Sequence, residues 1–139
     1  MKTLWPHRGT IYSVGHSNRK IDEFIAILVK NGVELVADVR RFPGSRKHPW
    51  FCRENLEAFL KEHGIRYIWL GESLGGFRKG GYEEYAKTEE FEKGLKDLEN
   101  LAEEHRVAFM CAEAFEGKCH RKHIARELEA RGWEVIRIG

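Results

Sequence analysis

Residues 107–126, VAFMCAEAFEGKCHRKHIAR, concentrate the side chains of this chain that are capable of chemistry. Two thiols, a carboxylate, a histidine and an arginine lie close together there: Cys111, Glu113, Cys119, His120 and Arg121. The apolar residues 107–110 predict a buried strand before this group, and helical spacing predicts a helix from His120 onward. A loop that opens a helix presents unpaired N–H groups and the positive end of the helix dipole. We therefore expect an anion site here, with the thiolate of Cys119 stabilised by the same field.

Alternating strand and helix patterns surround this group. Strands are predicted over residues 10–14, 33–39, 65–70, 107–110 and 133–138. Helices are predicted from residue 21 to 29, from about 53 to 63, from 82 to 104 with a break near Thr88, and from 120 to 131. This order predicts one α/β domain over residues 1–139, with three layers and a mostly parallel, Rossmann-like sheet of five strands.

Polar side chains follow the carboxyl ends of three further predicted strands. His16 and Ser17 follow the first strand, Asp38, Arg40 and Arg41 end the second, and Glu72 lies in a turn, residues 71–76, after the third. The carboxyl ends of parallel strands share one edge of a sheet, where open α/β sheets bind their ligands. We therefore expect these side chains to meet the 111–121 group around one pocket.

Composition narrows the class of protein. The 139 residues carry a net charge of +2 and are 42% hydrophobic and 33% charged, as expected of a single soluble domain. No apolar stretch has membrane-spanning length and the first residues lack the apolar core of a signal peptide, which predicts a cytoplasmic location. Glutamine is absent while Glu, Lys and Arg are abundant, a composition typical of thermophiles.

Residues 40–53, RRFPGSRKHPWFCR, are basic and contain aromatic side chains. Such a segment is suited to track phosphates and stack bases, which favours a non-enzymatic nucleic-acid-binding module as one alternative. A solvated loop with anchoring aromatic residues explains the same pattern.

Three interpretations fit the candidate residues: a metal site, an enzyme, and binding without chemistry. A zinc site would use Cys111, Cys119 and His120, with Glu113 or His123, although the spacing matches no standard zinc motif. A thiol nucleophile would be Cys119 or Cys111, with His16 or His120 as its base.

In the third interpretation the same arginines and backbone donors only hold a nucleotide or a nucleic-acid backbone. The enzymatic interpretation also includes transfer or hydrolysis on a phosphorylated substrate. Arg40 and Arg121 would clamp the phosphate, and Glu113, Asp38 or Glu72 would carry protons. The structural alternative is that Asp38 pairs with Arg40, and Glu113 with Arg40 or Arg121. Neither a dinucleotide-binding nor a P-loop motif is present, so a standard dinucleotide or P-loop site is disfavoured, and the sequence leaves the cofactor open. The expected partner is a phosphate-bearing small molecule or a nucleic acid.

Five separated motifs give the chain a family resemblance. They are residues 14–17 (VGHS), residues 38–45 (DVRRFPGS), residues 74–76 (LGG), residues 110–113 (MCAE) and residues 119–121 (CHR). With them the chain resembles the family called domain of unknown function 488. The resemblance implies a compact α/β fold with a shared site, and a loose association with DNA repair.

Overall fold

A computed structural model describes residues 9–44, 49–76, 78–113 and 120–138 of the chain. These residues form a five-stranded sheet in which every pair of neighbouring strands is parallel. Its strands are β1 (Gly9–Gly15), β2 (Leu35–Asp38), β3 (Arg66–Trp69), β4 (Val107–Cys111) and β5 (Trp133–Arg137). The predicted α/β fold with a mostly parallel sheet is confirmed.

The helices are α1 (Ile21–Lys30), α2 (Arg53–Glu62), α3 (Gly71–Leu74), α4 (Tyr82–Tyr85), α5 (Glu89–Glu104) and α6 (Arg121–Ala130), and a 3-10 helix spans Pro49–Phe51. The break predicted near Thr88 separates α4 from α5, and the Thr88 side chain caps α5 by accepting a hydrogen bond from Phe91 N at 3.3 Å. The turn expected at residues 71–76 instead begins with the single helical turn α3. Glycine at position 75 lets the backbone pass close to Gly71, because a Cβ on Gly75 would lie 2.4 Å from the Gly71 carbonyl oxygen.

Helices cover both faces of the sheet. On one face α1 and α2 bury Phe24, Leu28, Leu56 and Leu60 against residues of the central strands such as Met110. This side is called the α1 face below. On the other, the α6 face, α5 and α6 bury Leu95, Leu98, Ile124 and Leu128 against Phe109 and its neighbours. Two apolar cores on either side of one sheet give the three layers that the sequence predicted.

The strand order is β3-β2-β4-β1-β5, so β4 lies between β2 and β1. From β1 the chain crosses in one direction to β2 and β3, and from β4 it crosses in the other direction to β5. Right-handed crossovers then place α1 and α2 on one face and α5 and α6 on the other, as observed. The carboxyl ends of β2, β4 and β1 lie side by side at this reversal, where α/β sheets bind ligands.

In the ranges that the structure describes, no helix is both long and apolar enough to cross a membrane.

Candidate functional site

The candidate residues after β1, β2 and β4 lie at one edge of the sheet. His16 N donates a hydrogen bond to the carbonyl oxygen of Cys111 at 3.0 Å, and Val39 N donates to that of Met110 at 2.9 Å. These bonds continue the strand ladders past the ends of β1 and β2. The shared edge expected of a parallel sheet is present.

Side-chain alternation divides the candidates between the two faces at that edge. Val14 and Val36 point into the α1-face core, and His16 and Asp38, two residues further along their strands, follow the same direction. Cys111 belongs to the α6-face core. The residues that the sequence assigned to one pocket therefore form two clusters, back to back across the end of the sheet.

On the α1 face, Arg40 and Asp38 form a buried ion pair. Arg40 Nε donates to Asp38 Oδ1 at 2.8 Å and Nη2 donates to Oδ2 at 2.7 Å. The Arg40 backbone N–H adds a bond to Oδ1 at 3.0 Å, and the Tyr67 hydroxyl donates to Oδ2 at 2.6 Å. The carboxylate is fully buried and accepts four hydrogen bonds. Arg40 and Asp38 thus pair with each other, as the structural interpretation of the sequence anticipated.

This pair changes the acid–base behaviour of its members. Burial acts to lower the pKa of Arg40, but the hydrogen bonds and charge of Asp38 outweigh burial and raise it. Burial raises the pKa of the Tyr67 hydroxyl, and the Asp38 charge raises it further against the opposing charges of Arg40 and Arg53. Arg40 therefore stays a cation and Tyr67 a neutral donor at physiological pH.

The Nη1 nitrogen of Arg40 has no hydrogen-bond partner among the described residues. The side chain is 7% exposed, and within the described ranges Nη1 makes no hydrogen bond, while Nε and Nη2 are both engaged by Asp38. A buried, charged donor without a partner is costly, and natural proteins seldom keep one without a ligand, water or ion to satisfy it. Nη1 of Arg40 is thus a candidate anion contact.

The backbone of Arg40 is held from β3. Trp69 Nε1 donates to the Arg40 carbonyl oxygen at 2.7 Å, and the guanidinium of Arg53 lies 4.7 Å from the Trp69 ring centroid. A Cβ on Gly71 would lie 1.9 Å from the same carbonyl oxygen, so this approach requires glycine. Sequence reasoning missed Tyr67 and Trp69 as parts of the site. Their period-two spacing, which places both on one face of β3, was the available signal.

His16 is the second polar group on the α1 face. Its ring stacks on Phe51 with centroids 4.2 Å apart and planes inclined by 13°, and it is 4% exposed. Nδ1 lies 2.9 Å from the carbonyl oxygen of Ser17, a residue in the left-handed conformation with φ of 47°. A carbonyl oxygen only accepts, so Nδ1 donates the hydrogen bond in this contact. The imidazole is therefore oriented by the backbone through Nδ1.

On the α6 face, Arg121 is 1% exposed, and each of its three guanidinium nitrogens donates a hydrogen bond. Nε donates to Cys111 Sγ at 3.0 Å, Nη1 to Ser13 Oγ at 2.6 Å, and Nη2 to the backbone carbonyl oxygen of Glu113 at 2.6 Å. Arg121 contacts Glu113 through that carbonyl group, while the Glu113 residue is exposed. A hydrogen bond donated by a cation favours the thiolate form of a cysteine.

His120 connects the start of α6 to β2. Its Nε2 lies 2.8 Å from the carbonyl oxygen of Val39, and because a carbonyl oxygen only accepts, Nε2 donates this hydrogen bond. The half-buried ring packs 5.2 Å from the Tyr82 ring, and His123 packs 5.4 Å from the same ring. A Cβ on Gly76 would lie 3.1 Å from Nδ1, which is closer than an ordinary van der Waals contact, so glycine permits this packing.

The remaining predicted residues are exposed, half-buried or outside the described residues. Glu72 is exposed on α3, and Arg41 is half-buried with its guanidinium 5.4 Å from the Phe42 ring centroid. Cys119 and residues 45–48 of the basic segment lie outside the described residues.

Elsewhere in the chain, where the structure does describe the side chains, no three His, Cys, Asp or Glu residues are grouped to hold a metal ion. The zinc interpretation depends on Cys119 and stays a prediction.

A protein-family model matches residues 20–81 and 77–128, which together cover most of the chain and include four of the five motifs. No curated protein matches the chain significantly. The chain therefore belongs to the family described as domain of unknown function DUF488.

Proposed function

We propose that the protein binds a phosphate-bearing ligand, a nucleotide or nucleic acid, at the carboxyl edge of its sheet and acts on it. The proposal depends on one observation, which concerns the Nη1 nitrogen of Arg40. It belongs to a buried cation at the strand-order reversal and makes no hydrogen bond to the described residues.

Phosphate is the ligand chemistry that fits this nitrogen. An arginine stays charged under all ordinary conditions, and its N–H groups match phosphate oxygens in geometry. Asp38 fixes the guanidinium through two hydrogen bonds, so Nη1 needs no reordering to meet an anion. The charge of Arg53, which like Arg40 influences Tyr67, adds to the positive potential on this face.

The groups around the edge favour action on the ligand over binding alone. Binding needs only cations and donors, yet His16 and His120 are each oriented by a ring hydrogen bond to a backbone carbonyl group. A histidine held in a fixed orientation is suited to general acid–base catalysis. The exposed carboxylate of Glu113, next to Ala112, is a further proton carrier for the reaction.

Thermal-shift measurements with a ligand panel test the proposal. The panel contains inorganic phosphate, nucleoside mono- and diphosphates, sugar phosphates, and short DNA and RNA. Arg40→Lys keeps a cation for Asp38 but removes Nη1, so it should lose the stabilisation that a ligand gives the wild type. Arg66→Lys, at an exposed arginine of β3, should retain that stabilisation. The proposal is wrong if no compound shifts the wild type, or if every shift survives Arg40→Lys.

The salt dependence of the affinity distinguishes a small ligand from a nucleic acid. A module that tracks a duplex backbone loses affinity with a log–log salt slope of about −0.9 for each phosphate contacted. A small phosphorylated substrate held by one buried arginine should keep its affinity under moderate salt. Turnover of that substrate should fall when His16 is changed, whereas a binding module would tolerate the change.

A second candidate function, thiol chemistry, is favoured by the contact of Arg121 Nε with Cys111 Sγ at 3.0 Å. The cation stabilises the thiolate, which is the nucleophilic form. If Cys111 is the nucleophile, Cys111→Ser should abolish turnover of a substrate found in the panel and leave its binding intact. Unchanged turnover in Cys111→Ser would assign the thiol a packing role.

A further inference from the structure

We infer that the open edge of β3 is an interface between two copies of this chain. Two β3 strands, running antiparallel and related by a two-fold axis at Ile68, join the two sheets into one continuous sheet. The association does not depend on the ligand proposed above.

The outward hydrogen-bonding groups of β3 belong to Tyr67 and Trp69. Strand β3 ends the strand order and pairs only with β2 among the described residues. Arg66 N donates to the Glu34 carbonyl oxygen at 2.9 Å, toward β2. In a parallel strand alternate residues turn both of their backbone groups toward the same neighbour, so Arg66 and Ile68 face β2. Tyr67 and Trp69 therefore direct their N–H and C=O groups away from the sheet.

The two edges of the sheet differ in their protection. At β5, the other edge strand, Arg137 Nη1 donates to the carbonyl oxygen of Val135 at 3.0 Å. Because Ile138 N donates to Ser13 of β1, the same alternation turns that oxygen of Val135 outward. A charged side chain on an edge is a common guard against pairing with another chain. On β3, no described side chain bonds to the outward backbone groups, so this edge is the one available for pairing.

A groove with a volume of about 490 Å³ runs along the edge of β3. Tyr67 and Ile68 both line it although they pack toward opposite faces of the sheet, so the groove follows the edge itself. These two residues and Trp69 are half-buried. A run of large apolar side chains on an open edge strand favours pairing with another strand.

The backbone of this edge is complementary to itself. An antiparallel pair of β3 strands with Ile68 on the two-fold axis sets Tyr67 of each copy opposite Trp69 of the other. Both residues turn N–H and C=O outward, so each opposed pair exchanges two hydrogen bonds. A two-fold axis uses the same surface on both copies, so the assembly closes as a dimer.

The charges beside the edge also suit a second copy. Glu57 and Lys61 line the groove, exposed on α2 one helical turn apart. The chain turns back after α2, where Ile65 N donates to the Leu60 carbonyl oxygen at 3.0 Å, so α2 and β3 run in opposite directions. The two-fold axis reverses α2 in the second copy and brings Glu57 of each copy toward Lys61 of the other. This match favours a second copy over an unrelated extended peptide.

Sedimentation equilibrium over a range of protein concentrations tests the inference. The wild type should dimerise reversibly. Ile68→Lys places two like charges at the axis and should weaken the dimer by about tenfold or more, equivalent to about 1.4 kcal/mol. Ile136→Lys makes the same change at a half-buried position of β5 and should dimerise as the wild type does.

Charge reversals at exposed positions guard against a folding defect in Ile68→Lys. Lys61→Glu and Glu57→Lys should each weaken self-association by about threefold to tenfold, because exposed charge contacts are individually weak and the axis repeats each of them. An equimolar mixture of the two variants should recover the association as a heterodimer. Lys96→Glu, at an exposed position of α5, should leave the dimer unchanged.

Amide hydrogen exchange locates the interface. Raising the protein concentration should slow exchange at Tyr67 and Trp69, whereas Arg66 and Ile68, already bonded to β2, should change little. A wild type that stays monomeric up to about 1 mM would contradict the inference. A dimer that persists in Ile68→Lys and in both charge reversals, or that leaves exchange at Tyr67 and Trp69 unchanged, would place the contact on another surface and overturn it.

Discussion

Arg40 meets Asp38 edge to edge, with Nε 2.8 Å from Oδ1 and Nη2 2.7 Å from Oδ2. The two residues are separated by only one position, so an extended backbone brings both side chains to the same face. The direct contacts that orient this buried guanidinium therefore come from a residue only two positions away. The hydroxyl of Tyr67, from the next strand, completes the coordination of the carboxylate.

Replacing Asp38 by Asn should destabilise the protein strongly. The variant leaves a buried guanidinium without its counter-charge, a change that typically costs about 3–5 kcal/mol. Tyr67→Phe removes a single hydrogen bond to the carboxylate and should cost about 1.5–3 kcal/mol. Urea unfolding measures both values. Equal stability of Asp38→Asn and wild type would contradict the view that this ion pair holds the edge together.

Gly71→Ala should disrupt the support of Arg40 from β3. The new Cβ would lie 1.9 Å from the Arg40 carbonyl oxygen and 2.2 Å from Trp69 Nε1, so the hydrogen bond between them cannot persist. We expect a lower melting temperature and weaker binding of any ligand that depends on Arg40. Trp69 fluorescence reports the change directly.

Gly44→Ala is the matched control, because a Cβ there meets no atom within 4 Å. It should leave melting temperature, fluorescence and binding as in the wild type. A Gly71→Ala protein that behaves like Gly44→Ala would show that the close approach is not needed.

Protonation of His123 should destabilise the fold. Its pKa is lowered by burial first, then by the neighbouring positive charges of Lys122 and Arg126 and by His120, with Glu83 opposing. The unfolded chain then binds a proton more readily than the folded one, since its histidine titrates near the ordinary value of 6.5. Stability is therefore lost as the pH falls through and below that value.

Unfolding free energies at pH 7 and pH 5 check this expectation. His123→Gln should lose less stability over that range than the wild type does. His63→Gln, at an exposed position after α2, provides the comparison and should follow the wild type. A His123→Gln protein with the full wild-type loss would assign the pH dependence to other groups.

The two described cysteines should differ in their rate of alkylation. Cys111 is 2% exposed and packed beneath Arg121, whereas Cys52 is partly exposed at the start of α2. Iodoacetamide should therefore label Cys52 before Cys111 in the native protein, and peptide mass spectrometry resolves the two sites. In denaturant both should label at similar rates. Faster native labelling of Cys111 would reveal an access route to its sulfur and would strengthen the case for thiol chemistry.

Local signals predicted most of the fold. Helix α1 begins at the first residue of its apolar repeat and ends before Gly32, whose φ of +69° matches the left-handed cap expected from Asn31-Gly32. The sequence pattern predicted parallel strands because helices alternate with the strands along the chain. The position of β4 between β2 and β1 depends on contacts between residues about 70 to 100 positions apart, and no local pattern encodes those contacts.

Only part of the candidate site was predictable, because local patterns place residues at the strand ends but do not encode the contacts between strands. Placement of His16, Arg40 and Cys111 at one edge follows from parallel strands alone. Their division between two faces depends on strand register, and the contact of Tyr67 with Asp38 depends on strand order. The residue spacing of Asp38 and Arg40 was sufficient to anticipate their pairing.

The central position of β4 has a consequence for synthesis of the protein. During translation β1 emerges first, but both of its partners, β4 and β5, are made late. Until residues 107–111 leave the ribosome, only β2 and β3 have a neighbour with which to pair. Nascent chains that end before β4 should therefore remain unfolded and open to proteolysis, and the edge that carries His16, Arg40 and Cys111 should form only when β4 inserts.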